Sequence, residues 1–324
     1  MLKRSSWFVL TTALSAVMFV GCQPKPVEVP EEKPVEQKQT VVEEPLKLTG
    51  QLQRLTWDMP NCKGKNCPDI SIERLNSNQP FVDAYIDDQI LKQLQNTVDL
   101  GVTTSLKALD QQGKSSAAAA SDVEGKDDLP SKNALEQKAM PYIHEFLRLD
   151  NELKALSSSQ HMSMMIKPNI LNAMPPLVTV VLNSSQYLGG AHGSSSQQYF
   201  HFDLEKQKRV ELKDIVQKKQ YEALEKQAYA AFQQWVKDNE LSNDIQDYEQ
   251  VWKFKLSSNF YLGKQGLILQ YAEYEIGPYV VGLPRLVLPY ENLTTILKPK
   301  YLPEDYQKQP QPEKVEAQTT QATL

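Results

Sequence analysis

Apolar and polar residues follow two different periods along the first half of this chain. Residues 50–58 and 69–75 alternate with the period of two that is typical of strands. Residues 81–98 instead repeat apolar side chains at helical spacing, and residues 133–153 do the same. The second stretch contains Pro141, which we expect to start the helix or to kink it. This half is therefore predicted to combine strands with two helices.

The second half begins with a run of predicted strands. Residues 158–169 and 175–190 are expected to form a long hairpin, and residues 197–205 and 208–212 two further strands. The stretch 214–238 then has the spacing of an amphipathic helix. Its apolar face, which we interpret as core, comprises Tyr221, Leu224, Ala228, Phe232 and Trp235.

The last strands complete the predicted fold class. Residues 260–271 are expected to form a hairpin whose turn is bounded by Gly263 and Gly266, and a turn, a strand and a short helix follow. Strands and helices come in blocks rather than in regular alternation. That order favours an α+β fold with a mainly antiparallel sheet and packed helices.

Polar segments set the expected domain limits. Residues 23–46 hold five prolines and six glutamates, a composition that cannot bury a core, so residues 22–49 are predicted to be a disordered tether. The tail at 301–324 is equally polar and is also expected to be disordered. Between them we predict a smaller α+β subdomain at 50–157, with a mobile insertion at 110–132, and a larger domain at 158–300.

The amino-terminal residues have the pattern of a secretory signal. A short positive region precedes an apolar run that is too short to span a membrane, so residues 1–21 are predicted to be a signal peptide. The sequence Phe19-Val20-Gly21-Cys22 resembles a bacterial lipobox, which implies that Cys22 carries acyl chains such as palmitate. The alternative is an ordinary signal followed by a chance cysteine. Gln23, where an inner-membrane protein would carry aspartate, favours the outer membrane, facing the periplasm.

Cysteine count and charge narrow the possible partners. Cys62 and Cys67 remain after Cys22 is assigned to lipid, and outside the cytoplasm such a pair predicts a disulfide. A metal site would need two further soft ligands nearby.

Without residues 1–21 the net charge is −7, and no basic patch is present, so we expect no nucleic-acid partner. The acidic balance is compatible with a cationic partner.

Residues 186–196 hold side chains that could serve catalysis or only a turn. Serines at 194–196 follow His192, but no strand-to-helix nucleophile elbow is present. A turn explains the same residues, because Gly189 and Gly190 permit a positive φ or close packing and His192 could bond a carbonyl. Metal binding would draw on His192 with His201 and Asp203. We expect a structural turn, with ligand contact as the alternative.

A second loop, at residues 274–284, is a candidate binding surface. Tyr274, Pro278 and Tyr279 are rigid amphipathic groups of the kind enriched at binding hot spots, and Gly277 and Gly282 allow tight turning. The alternative is a packed corner of the domain. Glu273 and Glu275, placed on one face of a predicted strand, would suit glycoside hydrolysis, although acids spaced by two are common on solvent faces.

Together these motifs resemble the family of domain of unknown function 3298, also called RsiV-like. The residues that match its motifs are Gly189, Gly190, Ala191, His192, Phe202, Asp203, Leu212, Asp214, Ile215, Tyr274, Glu275, Ile276, Pro278, Tyr279 and Gly282. The resemblance covers about residues 185–297. Upstream, residues 67–90 resemble the smaller domain of unknown function 4163 that often precedes it.

The resemblance implies a place at the cell wall. A member of the family is a transmembrane anti-sigma factor whose extracellular domain binds lysozyme, and another branch accompanies a peptidoglycan deacetylase. This sequence shows no spanning segment after Cys22, so anti-sigma activity is not expected. We expect a lipid-anchored envelope module, not an enzyme and without cofactor, that binds peptidoglycan or a lysozyme-like hydrolase through His192, Tyr274, Glu275, Pro278 and Tyr279. A scaffolding lipoprotein and a cell-wall hydrolase are the alternatives.

Overall fold

The computed structural model describes the residues from the end of the predicted tether to the start of the predicted tail. The described ranges are 46–62, 66–98, 131–156 and 161–307. The predictions for the signal peptide and for Cys22 lie outside them, as does most of the tether, of the 110–132 insertion and of the tail. Where the predicted disordered ends are described, at 46–49 and 301–307, they are ordered, with Leu48, Tyr301 and Leu302 buried in the cores. Within the described ranges, no helix combines the length and the apolarity that crossing a membrane requires.

Six strands form the main sheet, and they lie side by side in chain order. They are β1 Gly50–Arg54, β2 Asp69–Ser77, β3 Ser163–Asn172, β4 Val178–Tyr187, β5 Ser194–Asp203 and β6 Lys208–Val210. Neighbours pair antiparallel except β2 and β3, which run parallel with Asp69 opposite Ser163. The predicted α+β class with a mainly antiparallel sheet is confirmed.

Two long helices supply one wall of the first hydrophobic core. They are α1 Pro80–Thr97 and α2 Lys132–Leu156, and Pro141 lies inside α2 rather than at its start. Apolar residues of α1 recur every four positions and are fully buried, namely Val82, Ile86, Ile90 and Leu94. They belong to one cluster with the inward-facing side chains of β2 to β5. The core thus lies between this sheet and its helices.

The second core lies between helices and a smaller antiparallel sheet. The elements are α3 Leu212–Ile215, α4 Tyr221–Asp238, α5 Ile245–Val251, β7 Phe260–Leu262, β8 Gly266–Gln270 and β9 Arg285–Pro289, in the strand order β7-β8-β9. Leu224, Ala228 and Phe232 are buried as predicted, and Trp235 packs against them partly buried, but Tyr221, the first residue of α4, is 45% exposed.

Short elements interrupt or close this second part. The helix predicted over 214–238 is broken after α3, where Gln217 donates its backbone N–H to the Ile296 carbonyl and Lys219 has a φ of 64°. Further along lie the 3-10 helices Tyr279–Val281, Tyr290–Asn292 and Pro299–Tyr301, followed by α6 Glu304–Gln307. Backbone bonds to distant segments therefore outweigh helical periodicity here.

The two cores do not divide at the predicted border. The first cluster extends to Leu204, and the second takes Leu177 and then residues from Val210 onward. The pairing of β2 with β3 carries one sheet across position 158. The predicted border at 157/158 therefore separates two strands of one sheet, and the division into two domains stays a prediction.

Polar side chains join the two sheets. Asn259, just before β7, accepts from the Tyr199 backbone N–H through Oδ1 at 2.8 Å and donates to the Gln197 carbonyl through Nδ2 at 2.7 Å. His201 of β5, 2% exposed, contacts the Phe260 carbonyl through Nε2 at 2.7 Å. These bonds place the part of β5 that does not pair with β6 beside the smaller sheet.

Candidate functional site

The turn between β4 and β5 packs closely against α2. Gly189 has a φ of 84°, and a Cβ there would lie 2.5 Å from the Leu153 side chain. This position therefore needs glycine for both its conformation and its space. Gly190, in contrast, has no positive φ, and a Cβ there would have only one ordinary contact, with the His192 carbonyl oxygen at 3.9 Å.

Three aromatic rings join that turn to the loop after β8. The Tyr279 ring lies between two others, with its centroid 5.0 Å from that of His192 and 5.6 Å from that of Tyr274. Both pairs are stacked, with interplanar angles of 23° and 29°. The Tyr279 hydroxyl donates to the Gly193 carbonyl at 2.9 Å. We call His192, Tyr279 and Tyr274 the aromatic stack.

The aromatic stack is partly open to solvent. Tyr274 is 56% exposed and has a φ of 62°, which is unusual for a tyrosine. His192 is also exposed, and within the described residues its ring stacks on Tyr279 rather than bonding a carbonyl as predicted. An exposed ring held at a positive φ is a feature that functional sites often retain.

The loop that carries the two tyrosines is supported from beneath. The Tyr248 hydroxyl donates to the Ile276 carbonyl at 2.9 Å. A Cβ at Gly277 would lie 2.9 Å from Trp235, so the backbone approaches the helices too closely for a side chain. Gly282, with a φ of 65°, ends the 3-10 helix that Pro278 precedes. The aromatic stack is thus held by a packed loop.

The carboxylates near the stack are not arranged as the sequence predicted. Residues 273–275 form a tight turn rather than a strand, so the two acids do not share a strand face. Glu273 Oε1 accepts from the Ser195 backbone N–H at 3.0 Å, and Glu275 Oε2 accepts from the Ala272 backbone N–H at 2.8 Å. Each carboxylate therefore has one oxygen engaged in fixing the turn.

A cleft of about 360 Å³ lies beside the aromatic stack, where β5 faces the segment before β7. Its walls combine amides and hydroxyls with aromatic rings, and they include Gln198, Tyr199, Ser258 and Asn259. Glu275 borders the cleft from the loop of the stack. Arg209 of β6 lines it too, with its guanidinium carbon 5.2 Å from the centroid of a ring of α1.

The serines and the possible metal ligands that the sequence analysis considered do not form a site in the described residues. Ser196 Oγ pairs with Ser184 Oγ at 2.8 Å across β4 and β5. His201 is enclosed, and burial lowers its pKa to about 4. Burial pushes the pKa of Asp203 upward, but its hydrogen bonds with Lys206 lower it overall. The described ranges hold no group of three potential metal ligands.

The remaining motif residues have structural surroundings. Phe202 is buried against the helix α1, with its ring 5.9 Å from that of Phe81. Asp214 Oδ2 accepts from the Glu211 backbone N–H at 2.9 Å and so caps α3. Cys62 and Cys67 are bonded to each other, with their Cα atoms 5.7 Å apart.

Two cleft residues were missed in the sequence. Asn259 lies in a polar stretch with no periodicity, and its role as a bridge between sheets depends on contacts about 60 positions away. Arg209 follows the turn after β5, and its sequence context does not distinguish it from other exposed cations on strands. Only the tertiary arrangement brings it to the cleft.

A family model and a curated protein match parts of this sequence. Residues 213–291 match the family model described as "Protein of unknown function (DUF3298)". Over 172 residues the chain is 22% identical to the peptidoglycan-N-acetylmuramic acid deacetylase PdaC of Bacillus subtilis strain 168. The alignment covers 52% of this chain but 37% of the deacetylase, so the chain spans little more than a third of that relative.

Solved structures share the fold. A DUF3298 family protein from Pseudomonas aeruginosa PAO1 has a TM-score of 0.53 and 24% identity, covering 80% of this chain and 98% of that one. A member from Bacteroides fragilis NCTC 9343 has a TM-score of 0.52 and 16% identity, covering 79% and 96%. At these identities the likeness concerns the fold alone.

Proposed function

Since this chain carries a DUF3298 domain, we propose that it is a binding module of the bacterial cell envelope whose aromatic stack contacts peptidoglycan. In this proposal Cys22 carries the lipid, and the polar segment after it holds the domain away from the outer membrane on the periplasmic side. The observation that carries the proposal is the exposed aromatic stack on a packed loop.

The stack has the properties of a sugar platform. Stacked rings present a flat apolar face with polar edges, and rigid aromatics lose little conformational entropy when they bind. Tyr279 is fixed by its hydrogen bond to Gly193, so the exposed face of Tyr274 is positioned before a ligand arrives. Preorganisation of this kind raises affinity by lowering the cost of ordering.

The carboxylates favour binding over hydrolysis. A glycosidase needs two carboxyl groups that flank the scissile bond, one to donate a proton and one to attack or to activate water. Glu273 instead accepts a hydrogen bond from the Ser195 backbone N–H, and Glu275 accepts one from the Ala272 backbone N–H. The similarity to a deacetylase supports contact with wall glycan, and we do not extend that relative's activity to this chain.

A lysozyme-like hydrolase is the second candidate ligand. The net charge of −7 without residues 1–21 would steer a basic protein toward this one. Val280, which is 85% exposed next to Tyr279, would give such a partner an apolar contact. A protein partner would therefore use the same loop as the glycan.

Cosedimentation of the purified full-length chain with insoluble peptidoglycan tests the proposal. Tyr274→Ala should weaken binding about tenfold, the typical loss for a hot-spot aromatic. Tyr221→Ala is the matched control, because Tyr221 is a similarly exposed tyrosine on α4. Equal binding by the two variants would remove the stack from the site. Binding to a c-type lysozyme but not to the wall would favour the second candidate, and binding to neither would refute both.

A further inference from the structure

We infer that the cleft beside the aromatic stack binds a carboxylate carried by N-acetylmuramic acid or its attached peptide, with Arg209 as the principal contact. This inference rests on the proposed function, because peptidoglycan supplies both the sugar and the acid. It adds a chemical preference: the cleft distinguishes muramyl units, which bear a lactyl group and a peptide, from N-acetylglucosamine, which is uncharged.

Arg209 lies against two aromatic rings, and its ion pair with Glu211 is long. Its guanidinium carbon lies 5.2 Å from the centroid of the Tyr85 ring and 5.7 Å from that of Phe200. Within the described ranges the guanidinium makes no hydrogen bond, and the one carboxylate within 4.0 Å is that of Glu211, at that limit. A guanidinium that lies over aromatic rings without hydrogen bonds to protein keeps its N–H groups available, and a carboxylate can accept two of them.

The other charges of the cleft point to the same ligand. Lys255 lines it together with Arg209, and in the described part of the chain its ammonium has no ion pair. Glu275 is the single carboxylate among the lining residues, and Ala272 already occupies its Oε2. Arg209 and Lys255 thus offer cationic N–H donors at the cleft, and such donors bind anions through charge-assisted hydrogen bonds.

Uncharged groups suit the amides and hydroxyls of a muramyl peptide. The side chains of Gln198 and Ser258 line the cleft and, among the described residues, form no hydrogen bond with protein. Asn259 and Gln197 are instead engaged in bonds within the protein, so they shape the wall. A volume of about 360 Å³ falls within the range of small-ligand sites, which is roughly 300 to 1,000 Å³.

One end of the cleft is lined by residues that neighbour the aromatic stack in the chain. Glu275 lines the cleft and follows Tyr274 directly in the chain. Ser196, also in the lining, follows Ser195, whose N–H is bonded to Glu273. Arg209 lies towards the other end of β5, where it pairs with Phe202. A sugar chain that runs from the stack along β5 would therefore bring the acidic substituent of a later unit, not of the adjacent one, to Arg209.

Saturation-transfer NMR with the full-length chain tests this inference directly. The probes are N-acetylmuramic acid, whose lactyl carboxylate is free, muramyl dipeptide, whose carboxylate is on the peptide, and uncharged N,N′-diacetylchitobiose. We expect Arg209→Gln to weaken binding of at least one acidic probe about tenfold and to leave diacetylchitobiose unchanged. Which acidic probe responds identifies the source of the carboxylate. Lys208→Gln, an exposed cation of the same strand outside the cleft, is the control.

Several results would overturn the inference. It fails if wild-type protein binds neither acidic probe, or if the Arg209 and Lys208 variants bind them equally. If Arg209→Gln melts at a lower temperature than the wild type, Lys255→Gln serves as the second variant and should also weaken the acidic probes. The wall-binding proposal fails separately, through loss of cosedimentation. Normal cosedimentation of Arg209→Gln with unaltered probe binding would reject the cleft and keep the stack.

Discussion

The histidine at the junction of the two sheets should make stability depend on pH. His201 Nε2 lies 2.7 Å from the Phe260 carbonyl, which can only accept, so this nitrogen carries a proton. Nδ1 lies 3.0 Å from Thr179 Oγ1, whose hydroxyl can donate to it. Both nitrogens of the neutral His201 ring are thus hydrogen-bonded, at a site that is closed to water.

The size of the effect follows from the pKa. Burial lowers the pKa of His201 from 6.5 to about 4. Below pH 6.5 the unfolded chain takes up a proton that the folded chain refuses until about pH 4. Stability is therefore lost as the pH falls through this window and levels off below it. At about 1.4 kcal/mol per pH unit, the loss approaches about 3 kcal/mol.

Urea unfolding between pH 7 and pH 4 measures this loss. His201→Gln keeps a donor for the Phe260 carbonyl but cannot be protonated, so its free energy of unfolding should fall by about 3 kcal/mol less than that of the wild type. His144→Gln, on the exposed face of α2, is the matched control for the loss of a histidine.

Parallel pH profiles for the wild type and His201→Gln would refute this reasoning. If the variant does not fold, NMR titration of the His201 ring in the wild type gives an independent answer. A ring that becomes protonated near pH 6.5 would show that the site is open to water, and the junction between the sheets would need another explanation.

Three further predictions test other parts of the structure by urea unfolding. Gly277→Ala should lower the free energy of unfolding by about 1 to 3 kcal/mol, because its Cβ would overlap the side chain of Trp235 on α4. Gly190→Ala should leave the free energy of unfolding nearly unchanged. Similar losses for the two variants would contradict the packing argument. Arg74→Met should cost about 3 to 5 kcal/mol by leaving the buried Asp87 carboxylate unpaired, and an unchanged midpoint would be inconsistent with that pair. Asn259→Ala should cost about 1 to 3 kcal/mol, and a smaller loss would mean that water replaces its two bonds.

Most elements could be predicted because their burial follows local spacing. The helical repeat over 81–98 and the alternation over 69–75 correspond to α1 and β2. The prediction over 214–238 was wrong between α3 and α4, where a backbone bond to Ile296 replaces a helical one. Such a bond depends on a segment about 80 positions away, and periodicity carries no information about it.

In the candidate site, too, residue types predicted the loops, and distant contacts decided their structure. The turn around His192 and the loop around Tyr279 were each singled out by residue type, since glycine and tyrosine are typical of tight turns and binding surfaces. The predicted strand at Glu273 and Glu275 was wrong, because both carboxylates bond backbone N–H groups and stabilise a turn. An alternation of two acids is compatible with either structure.

By itself the sequence determined the α+β class, the likeness to the DUF3298 family and the two loops that carry its motifs. These depend on composition and on short-range spacing. Only the tertiary structure decided that Tyr279 lies between His192 and Tyr274, that Arg209 lines a polar cleft, and that Asn259 joins two sheets. Contacts between residues far apart in the chain depend on how the two sheets pack together, which local patterns do not encode.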